Sequence, residues 1–401
     1  MKQETAAIMK SKHHHIMFTL LLFMPVIGMA VDLVAPSLPA ISHNLNLSDA
    51  LVKGVISIYL LGYALGNFFI GFLADAIGRQ KLIRISMLAF AIFSLLPIIW
   101  PDVSVLLFSR FGQGLAIGAV AVLIRTIFSD LLEPERLVKL GPVMGAMWGL
   151  GPVIGPVIGG YLQFYFNWQA GFVFFLLIAI IFFLAIFVVV PETIQKKQPL
   201  SVKQMSKSLR EILSHSLFMA FVVSMGISYA MIITFQTLGP FLIQGVFGHS
   251  AAYFGRIALI MGAVFLPATF LCRYLLKYYQ VRTLFSVTLH SVSFLLAILL
   301  IINLYLPNSY VILLAASLLM FFVCGFVFPL SMGKGMSLFR HISGAAAAVM
   351  YLINVLITSL ISFLESFINA DVVLEVVIIY SILTLLLLVT YWWKIRKNVN
   401  S

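Results

Sequence analysis

The sequence predicts an all-α membrane protein with twelve transmembrane helices in two bundles of six. Of its 401 residues, 62% are hydrophobic and only 9% are charged, and the mean hydropathy is +1.11; a soluble domain of this length does not have that composition. Apolar segments recur near the ~20 residues that a membrane-spanning helix needs. One basic, polar segment separates the first six of them from the last six.

Hydropathy places the helices in chain order. We expect the first six at 16–39, 51–73, 82–100, 103–126, 138–162 and 169–190, and the second six at 217–243, 251–277, 283–303, 309–332, 342–366 and 372–393. The predicted domains are a tail (1–15), an N-terminal six-helix bundle (16–190), a linker (191–216), a C-terminal six-helix bundle (217–393) and a second tail (394–401). Within the linker, 201–213 has amphipathic spacing, which predicts a surface helix.

The distribution of charge predicts the orientation. With these spans, every Lys and Arg except Lys53, Arg110 and Arg256 falls on one side of the membrane. Because basic loops stay inside, both termini are predicted to be cytoplasmic, and the net charge of +12 does not indicate nucleic-acid binding. The acidic residues expected at or near the other face are Asp49, Asp102, Glu365, Asp371 and Glu375.

The residue pattern does not predict an enzyme, a cofactor or a metal site. Cys272 and Cys324 lie in separate apolar segments without metal-ligand spacing, and we interpret His13–His15 as part of a solvated basic tail. We find no convergent Ser/His/Asp set, acidic dyad or glycine-rich phosphate loop followed by Lys. The first apolar segment is too long for a signal peptide and has no small-residue cleavage pattern, so we expect it to remain as a helix.

Asp32 is the charged residue of an otherwise apolar stretch, 24–36, inside the first predicted span. A carboxylate within a bilayer costs roughly 2.5–3.5 kcal/mol on insertion scales, so such residues usually face a cavity or a partner and are functional. Because burial disfavours its charged form, the carboxyl group could bind and release a proton. We predict a coupling site, the alternative being a structural Asp that caps a helix or is permanently paired.

Arg110 is the corresponding charge of the fourth span. It shares one helical face with Gln113, Gly114 and Ile117. Arg110 lies seven residues after the start of its span and Asp32 seven before the end of its own, so at 1.5 Å per residue both lie about 10 Å below the same surface. Equal depth could place the two side chains close together, either as a proton-sensitive pair or as a static ion pair.

Two motifs resemble the major facilitator superfamily of transporters. The segment 71–81, GFLADAIGRQK, is similar to its G-x-x-x-D-x-x-G-R signature loop, although Ala76 and Gln80 stand where basic residues are often found. The predicted gating-loop residues are Gly71, Asp75, Gly78, Arg79 and Lys81. The segment 110–114, RFGQG, resembles the family's R-x-x-Q-G motif, so the resemblance implies the major facilitator fold with two six-helix bundles.

A glycine-rich stretch in the fifth span resembles the antiporter motif of proton-driven exporters, whose core is G-P-x-x-G-G. Its residues are Gly151, Gly155, Pro156, Gly159 and Gly160. Small residues at four-residue intervals also permit close helix packing, which is the alternative interpretation. The D-x-x-x-P-x-x-P pattern of Asp32, Pro36 and Pro39 is similar to the bicyclomycin/chloramphenicol-resistance branch of drug exporters.

The resemblance implies a monomeric inner-membrane transporter that exports a small amphiphilic compound in exchange for protons, with small molecule, protons and lipid bilayer as its partners and no nucleic acid. Asp32 would carry the proton and Arg110 would pair with it or contact substrate. Candidates that could line a substrate cleft are Met29, Gln113, Ile117, Met147, Tyr229, Phe235, Gln236 and Asn354. The alternatives are proton-coupled uptake or efflux of a metabolite or siderophore, and a membrane sensor or scaffold that does not transport.

Overall fold

The computed structural model describes residues 2–194, 202–339 and 342–396. The helices of the first half are α1 (Lys2–Asp32), α2 (Leu38–Leu45), α3 (Asp49–Ile77), α4 (Arg79–Ile99), α5 (Val103–Leu131), α6 (Pro134–Tyr165) and α7 (Gln169–Val189). The second half contains α8 (Val202–Ser214), α9 (Ser216–Pro240), α10 (Ala251–Leu275), α11 (Val281–Tyr305), α12 (Tyr310–Ser337), α13 (Ser343–Ser366) and α14 (Val373–Thr390). Within the described ranges, twelve segments are long and apolar enough to cross a membrane, which confirms the predicted fold class.

The first span is broken next to Asp32. Helix α1 ends at Asp32, a short 3-10 helix covers Ala35–Ser37, and α2 then continues to Leu45. Pro36 explains the break, because it has no N–H to donate to the carbonyl of Asp32 four residues earlier, and its ring would clash with that carbonyl. The span extends to Leu45, beyond the end predicted at Pro39, since Pro39 lies in the first turn of α2, where a missing N–H has no cost.

Other boundaries differ from the predictions by several residues. Helix α1 begins at Lys2, within the segment expected as a tail, and α6 covers Pro134–Tyr165 rather than 138–162. The surface helix of the linker is α8, at Val202–Ser214. Residues 195–201 of the linker and 397–401 of the second predicted tail lie outside the described ranges.

The two halves meet through paired helices. Helix α3 packs against α13, and α6 packs against α10. The bundle has a loop end, which carries the α3–α4 connection at Gly78, and a far end, which carries the α2–α3 and α13–α14 connections. These two names are used below for the two sides of the membrane.

The halves are joined by hydrogen bonds at the far end. The Lys53 ammonium donates to the carbonyls of Ile368 (2.6 Å) and Asn369 (3.1 Å). Gln244 Nε2 donates to the carbonyl of Pro36 at 2.9 Å, and a further bond links Ser359 Oγ on α13 to the Ser57 carbonyl on α3 at 2.8 Å. The far end is therefore closed in this structure.

Candidate functional site

Asp32 is fully buried at the end of α1, and neither of its carboxyl oxygens has a hydrogen-bond partner among the described residues. It lies within electrostatic range of Arg110, Tyr59 and Tyr229. In the described part of the chain it forms no ion pair with Arg110. The two side chains lie in one region, although the depth of Asp32 was counted from Pro39 and the span extends to Leu45. The static ion pair that was the alternative is not formed here.

Arg110 is held by backbone and side chains of its own half. Its Nη1 donates to the Ala30 carbonyl and to Gln113 Oε1, both at 3.0 Å, and its guanidinium lies 4.2 Å from the centroid of the Tyr59 ring. Gln113 Nε2 in turn donates to Ser94 Oγ at 2.9 Å. The guanidinium is fixed in position, and its Nη2 has no partner among the described residues.

Two unsatisfied charged groups therefore share one buried region. Most buried polar atoms in proteins have a hydrogen-bond partner, and those that do not require an explanation. Asp32 offers two free acceptor oxygens and Arg110 a free Nη2 donor. Such an arrangement can accept a proton at Asp32 or a polar group of a ligand between the two side chains.

A cavity lies beside this region, between α6 of the first half and three helices of the second. Its lining consists of Trp148, Gly149, Pro152, Val153, Tyr229, Ile232, Gly262, Phe265, Phe321, Cys324 and Phe328. Its water-accessible volume of about 30 Å³ is far below the roughly 300–1,000 Å³ of a pocket for a drug-sized ligand. The lining is mainly apolar and aromatic, so a larger molecule could enter only after the halves separate.

Among the predicted cleft residues, Tyr229 lines this cavity, with its ring 6.5 Å from Trp148 and 6.2 Å from Phe328. Met147, the residue before Trp148, is half-buried. The structure therefore brings Tyr229 to both the cavity and the surroundings of Asp32.

The other candidates lie in helix contacts rather than in the cavity lining. Met29 packs against Gly155, and Gln113 is bound to Arg110. Ile117 is fully buried in α5. Phe235 stacks on Phe254 (5.3 Å) and meets Phe321 edge-on (6.0 Å) inside the second half. Gln236 and Asn354 are buried, and the amide oxygen of each has no partner among the described residues.

The signature loop forms a charge cluster at the loop end. Arg79 pairs with Asp75 (2.6 Å) and with Asp130 of α5 (3.0 Å). Glu192, which the sequence interpretation overlooked, accepts from the backbone N–H groups of Arg79 and Gln80 at 3.0 and 3.3 Å. A carboxylate at a helix N-terminus stabilises it, so Glu192 ties the end of α7 to the start of α4. Its position directly after Pro191, beyond the predicted span 169–190, gave no signal in the sequence.

The remaining loop residues have different surroundings. Gly78 has φ +114°, a conformation that glycine adopts readily, and a Cβ there would collide with the Glu192 carboxylate. Gly71 faces Val122 of α5 at van der Waals distance. Lys81 is exposed. The loop thus turns tightly at Gly78 and presents Lys81 to solvent.

The glycine-rich stretch of α6 packs on two sides. Gly151, Gly155 and Gly159 face α1, where added Cβ atoms would collide with backbone of Met29 and Leu33. Gly160 faces Ala251 of α10, and Gly255 of α10 faces Pro156 in the same way. These residues therefore hold α6 against α1 in its own half and against α10 in the other.

Two buried charged residues were not assigned a role from the sequence. Lys53, one of three cations off the basic side, bridges the halves. Glu365 lies in the last turn of α13, near the far end, and is buried with 3% exposure. The sequence indicated its depth but not its burial, to which packing of α13 against α9 contributes.

Comparisons with known proteins agree with this architecture. The sequence model of the Major Facilitator Superfamily matches residues 20–362. The chain is 26% identical to the uncharacterized MFS-type transporter YdgK of Bacillus subtilis (strain 168), over 60% of this chain and 61% of that protein. It is 25% identical to multidrug resistance protein D of Escherichia coli (strain K12), over 85% and 86% respectively. The crystal structure of a D-xylose-proton symporter superposes with TM-score 0.75 at 15% identity, covering 97% of this chain and 99% of that one.

Proposed function

This chain belongs to the Major Facilitator Superfamily, and we propose that this transporter exports a small amphiphilic compound in exchange for protons by alternating access. The observation that carries the proposal is the environment of Asp32. Its carboxyl group is fully buried, has no hydrogen-bond donor among the described residues and lies near the fixed Arg110 guanidinium. An ionised carboxylate without a donor is costly in such a place, so binding and release of a proton there is tied to exposure to water.

The coupling step follows from this geometry. With the far end closed, Asp32 holds a proton or, when ionised, competes with a ligand for the charge of Arg110. Tyr229 lies within electrostatic range of Asp32 and also lines the cavity, so it connects the proton site with the space that a ligand would occupy. A proton that moves through 100 mV supplies about 2.3 kcal/mol, which is enough to sustain a substrate concentration ratio of tens.

The residues of the cavity support the proposed substrate class. Five aromatic side chains line it: Trp148, Tyr229, Phe265, Phe321 and Phe328. Aromatic walls with few polar groups suit an apolar ring system, while Asp32 and Arg110 would receive a polar group at its edge. Multidrug resistance protein D, whose name states drug resistance, is similar over most of its length.

The remaining assignments complete the proposal. We place the loop end in the cytoplasm of a bacterial inner membrane, with both termini on that side, because the basic residues lie there. The charge cluster of Asp75, Arg79 and Asp130 would act as the cytoplasmic latch. We propose a monomer of the bicyclomycin/chloramphenicol-resistance branch, on the pattern of Asp32, Pro36 and Pro39.

Transport by purified protein in proteoliposomes tests the proposal. A panel of drugs, metabolites and siderophores is first screened by thermal shift, and each hit is then assayed in both directions with an imposed proton gradient. We expect proton-driven movement of an amphiphilic hit out of the equivalent of the cytoplasm. Asp32→Asn should abolish gradient-driven accumulation but retain exchange of labelled for unlabelled substrate.

Asp102→Asn is the matched control, because this acid is exposed at the far end and Asn can still accept from the first N–H groups of α5, and it should transport like the wild type. Driven accumulation by the Asp32→Asn protein would refute the role of Asp32. Movement of hits only in the inward direction would establish uptake instead, and no movement of any binding compound would favour the sensor or scaffold.

A further inference from the structure

Glu365 is a second buried acid, on α13 of the C-terminal half and outside the mechanism proposed above. Its side chain is 3% exposed, and Oε2 has no hydrogen-bond partner among the described residues. Oε1 lies 2.5 Å from Thr234 Oγ1 of α9. If Glu365 were ionised between these buried helices, one of its oxygens would have no hydrogen-bond donor to replace water.

The hydrogens of this contact can be counted. Thr234 Oγ1 lies 2.9 Å from the carbonyl of Ala230, one turn earlier on the same helix, and 2.5 Å from Glu365. A hydroxyl group has one hydrogen to donate. Both contacts are full two-centre hydrogen bonds at the same time only if Glu365 donates to Thr234, which in turn donates to Ala230.

The groups around Glu365 supply hydroxyls rather than positive charge. From α9 it faces Thr234, and Thr237 contacts Ser362 of α13 at 3.3 Å. From α14 it is within range of Tyr380, whose hydroxyl contacts Ser317 of α12 at 3.3 Å.

The cation of α3 in this region, Lys53, donates instead to the carbonyls of Ile368 and Asn369. The carboxyl groups within electrostatic range of this ammonium are those of Asp49, Asp371 and Glu375. A negative charge on Glu365 would therefore have no cation as its hydrogen-bonded partner in the described part of the chain.

We infer that Glu365 is a proton-binding site in the C-terminal half, occupied while the far end is closed. Lys53 holds the chain three and four residues beyond Glu365, so separation of the halves at the far end removes the contact that keeps this part of α13 in place. The acid then gains access to water and can lose its proton. This site is independent of Asp32, and it stands whether or not Asp32 carries the coupled proton.

Infrared spectroscopy of the purified, lipid-reconstituted protein tests the inference without any transport assay. A protonated carboxyl group has a C=O stretching band that shifts on exchange into D2O, and an ionised one lacks it. We expect the wild type at neutral pH to show such absorption, and Glu365→Gln to remove a component of it that Asp32→Asn and Asp371→Asn both retain. The Gln amide can still donate to Thr234, so this variant preserves the contact.

Thr234→Val provides a second measurement, because it removes the hydrogen-bond acceptor and should shift the frequency of the same band. A Glu365→Gln spectrum that retains all of the protonated-carboxyl absorption at neutral pH would overturn the inference. So would a Thr234→Val spectrum with the band unmoved. Loss of driven transport in Asp32→Asn with the Glu365 band intact would show that the two acids act separately.

Discussion

The two buried acids occupy contrasting environments in the two halves. Asp32 lies at a helix break with both oxygens free and a fixed guanidinium nearby. Glu365 lies in a continuous helix seam with a hydroxyl as its immediate partner. The difference indicates that a free acceptor beside a cation can receive a ligand as well as a proton, whereas a carboxyl group engaged by a hydroxyl is suited to a proton alone.

The largest expected effect comes from removing the Arg110 cation beside Asp32. Arg110→Met deprives the Ala30 carbonyl and Gln113 Oε1 of their donor, and each buried group left without a partner costs about 1–3 kcal/mol. We expect a clear loss of thermal stability together with loss of transport, measured by thermal unfolding in lipid.

Arg125→Met is the control for Arg110→Met. Arg125 also lies on α5 and over an aromatic ring, with its guanidinium 4.3 Å from the centroid of Tyr351, but it is only half-buried. It should lose much less stability. Equal losses in the two variants would show that Arg110 has no special place beside Asp32.

A smaller effect is expected from the contact that closes the far end near Glu365. Lys53→Met removes two charge-assisted hydrogen bonds between the halves, each worth about 1.5–3 kcal/mol. Lys53→Met also removes the cost of burying the ammonium, which offsets much of this loss. We therefore expect the balance between closed and open far ends to move toward the open state by about tenfold. Distances between spin labels on cysteines at Asn44 and Val246, which are exposed on opposite halves, would measure it.

Arg256→Met serves as the comparison for Lys53→Met, because the Arg256 cation contacts Tyr253 within its own half. It should leave the label distances unchanged. If Lys53→Met also leaves them unchanged, the bridge does not hold the far end closed.

The smallest effect concerns the packing that supports the helix break at Asp32. In Gly159→Ala the new methyl group would collide with the Leu33 carbonyl, next to Asp32, and overpacking costs about 1–3 kcal/mol. Gly145→Ala on the same helix meets nothing within 4 Å and should be neutral or slightly stabilising. Thermal unfolding of the two variants decides the point, and equal stabilities would show that α1 and α6 do not need this close approach.

The sequence was sufficient for the architecture and for part of the site. Apolar length predicted twelve spans, and the charge of Asp32 inside one of them singled out the residue that the structure buries without a donor. The equal depth of Asp32 and Arg110 was inferred from rise per residue alone. These features depend on local periodicity, which a single sequence carries.

The features that the sequence did not predict depend on which helices become neighbours. Glu365 lies at the end of its span, as expected, but its burial against α9 could not be read from the sequence. Phe235 was a cleft candidate, but Phe254 and Phe321 enclose it in the second half. Glu192, which follows the end of α7, caps α4 across a long separation in sequence. Pairings of this kind are set by tertiary packing and leave no periodic signal.

The seam between α6 and α10 has a consequence for the energetics of opening. Gly160 meets Ala251 and Gly255 meets Pro156 through backbone and small apolar groups. When these contacts part, dispersion contacts are lost that lipid tails or a ligand can replace, and the four residues named give up no side-chain hydrogen bond. Opening along this edge is therefore opposed mainly by the polar bonds that Lys53, Gln244 and Ser359 make between the halves.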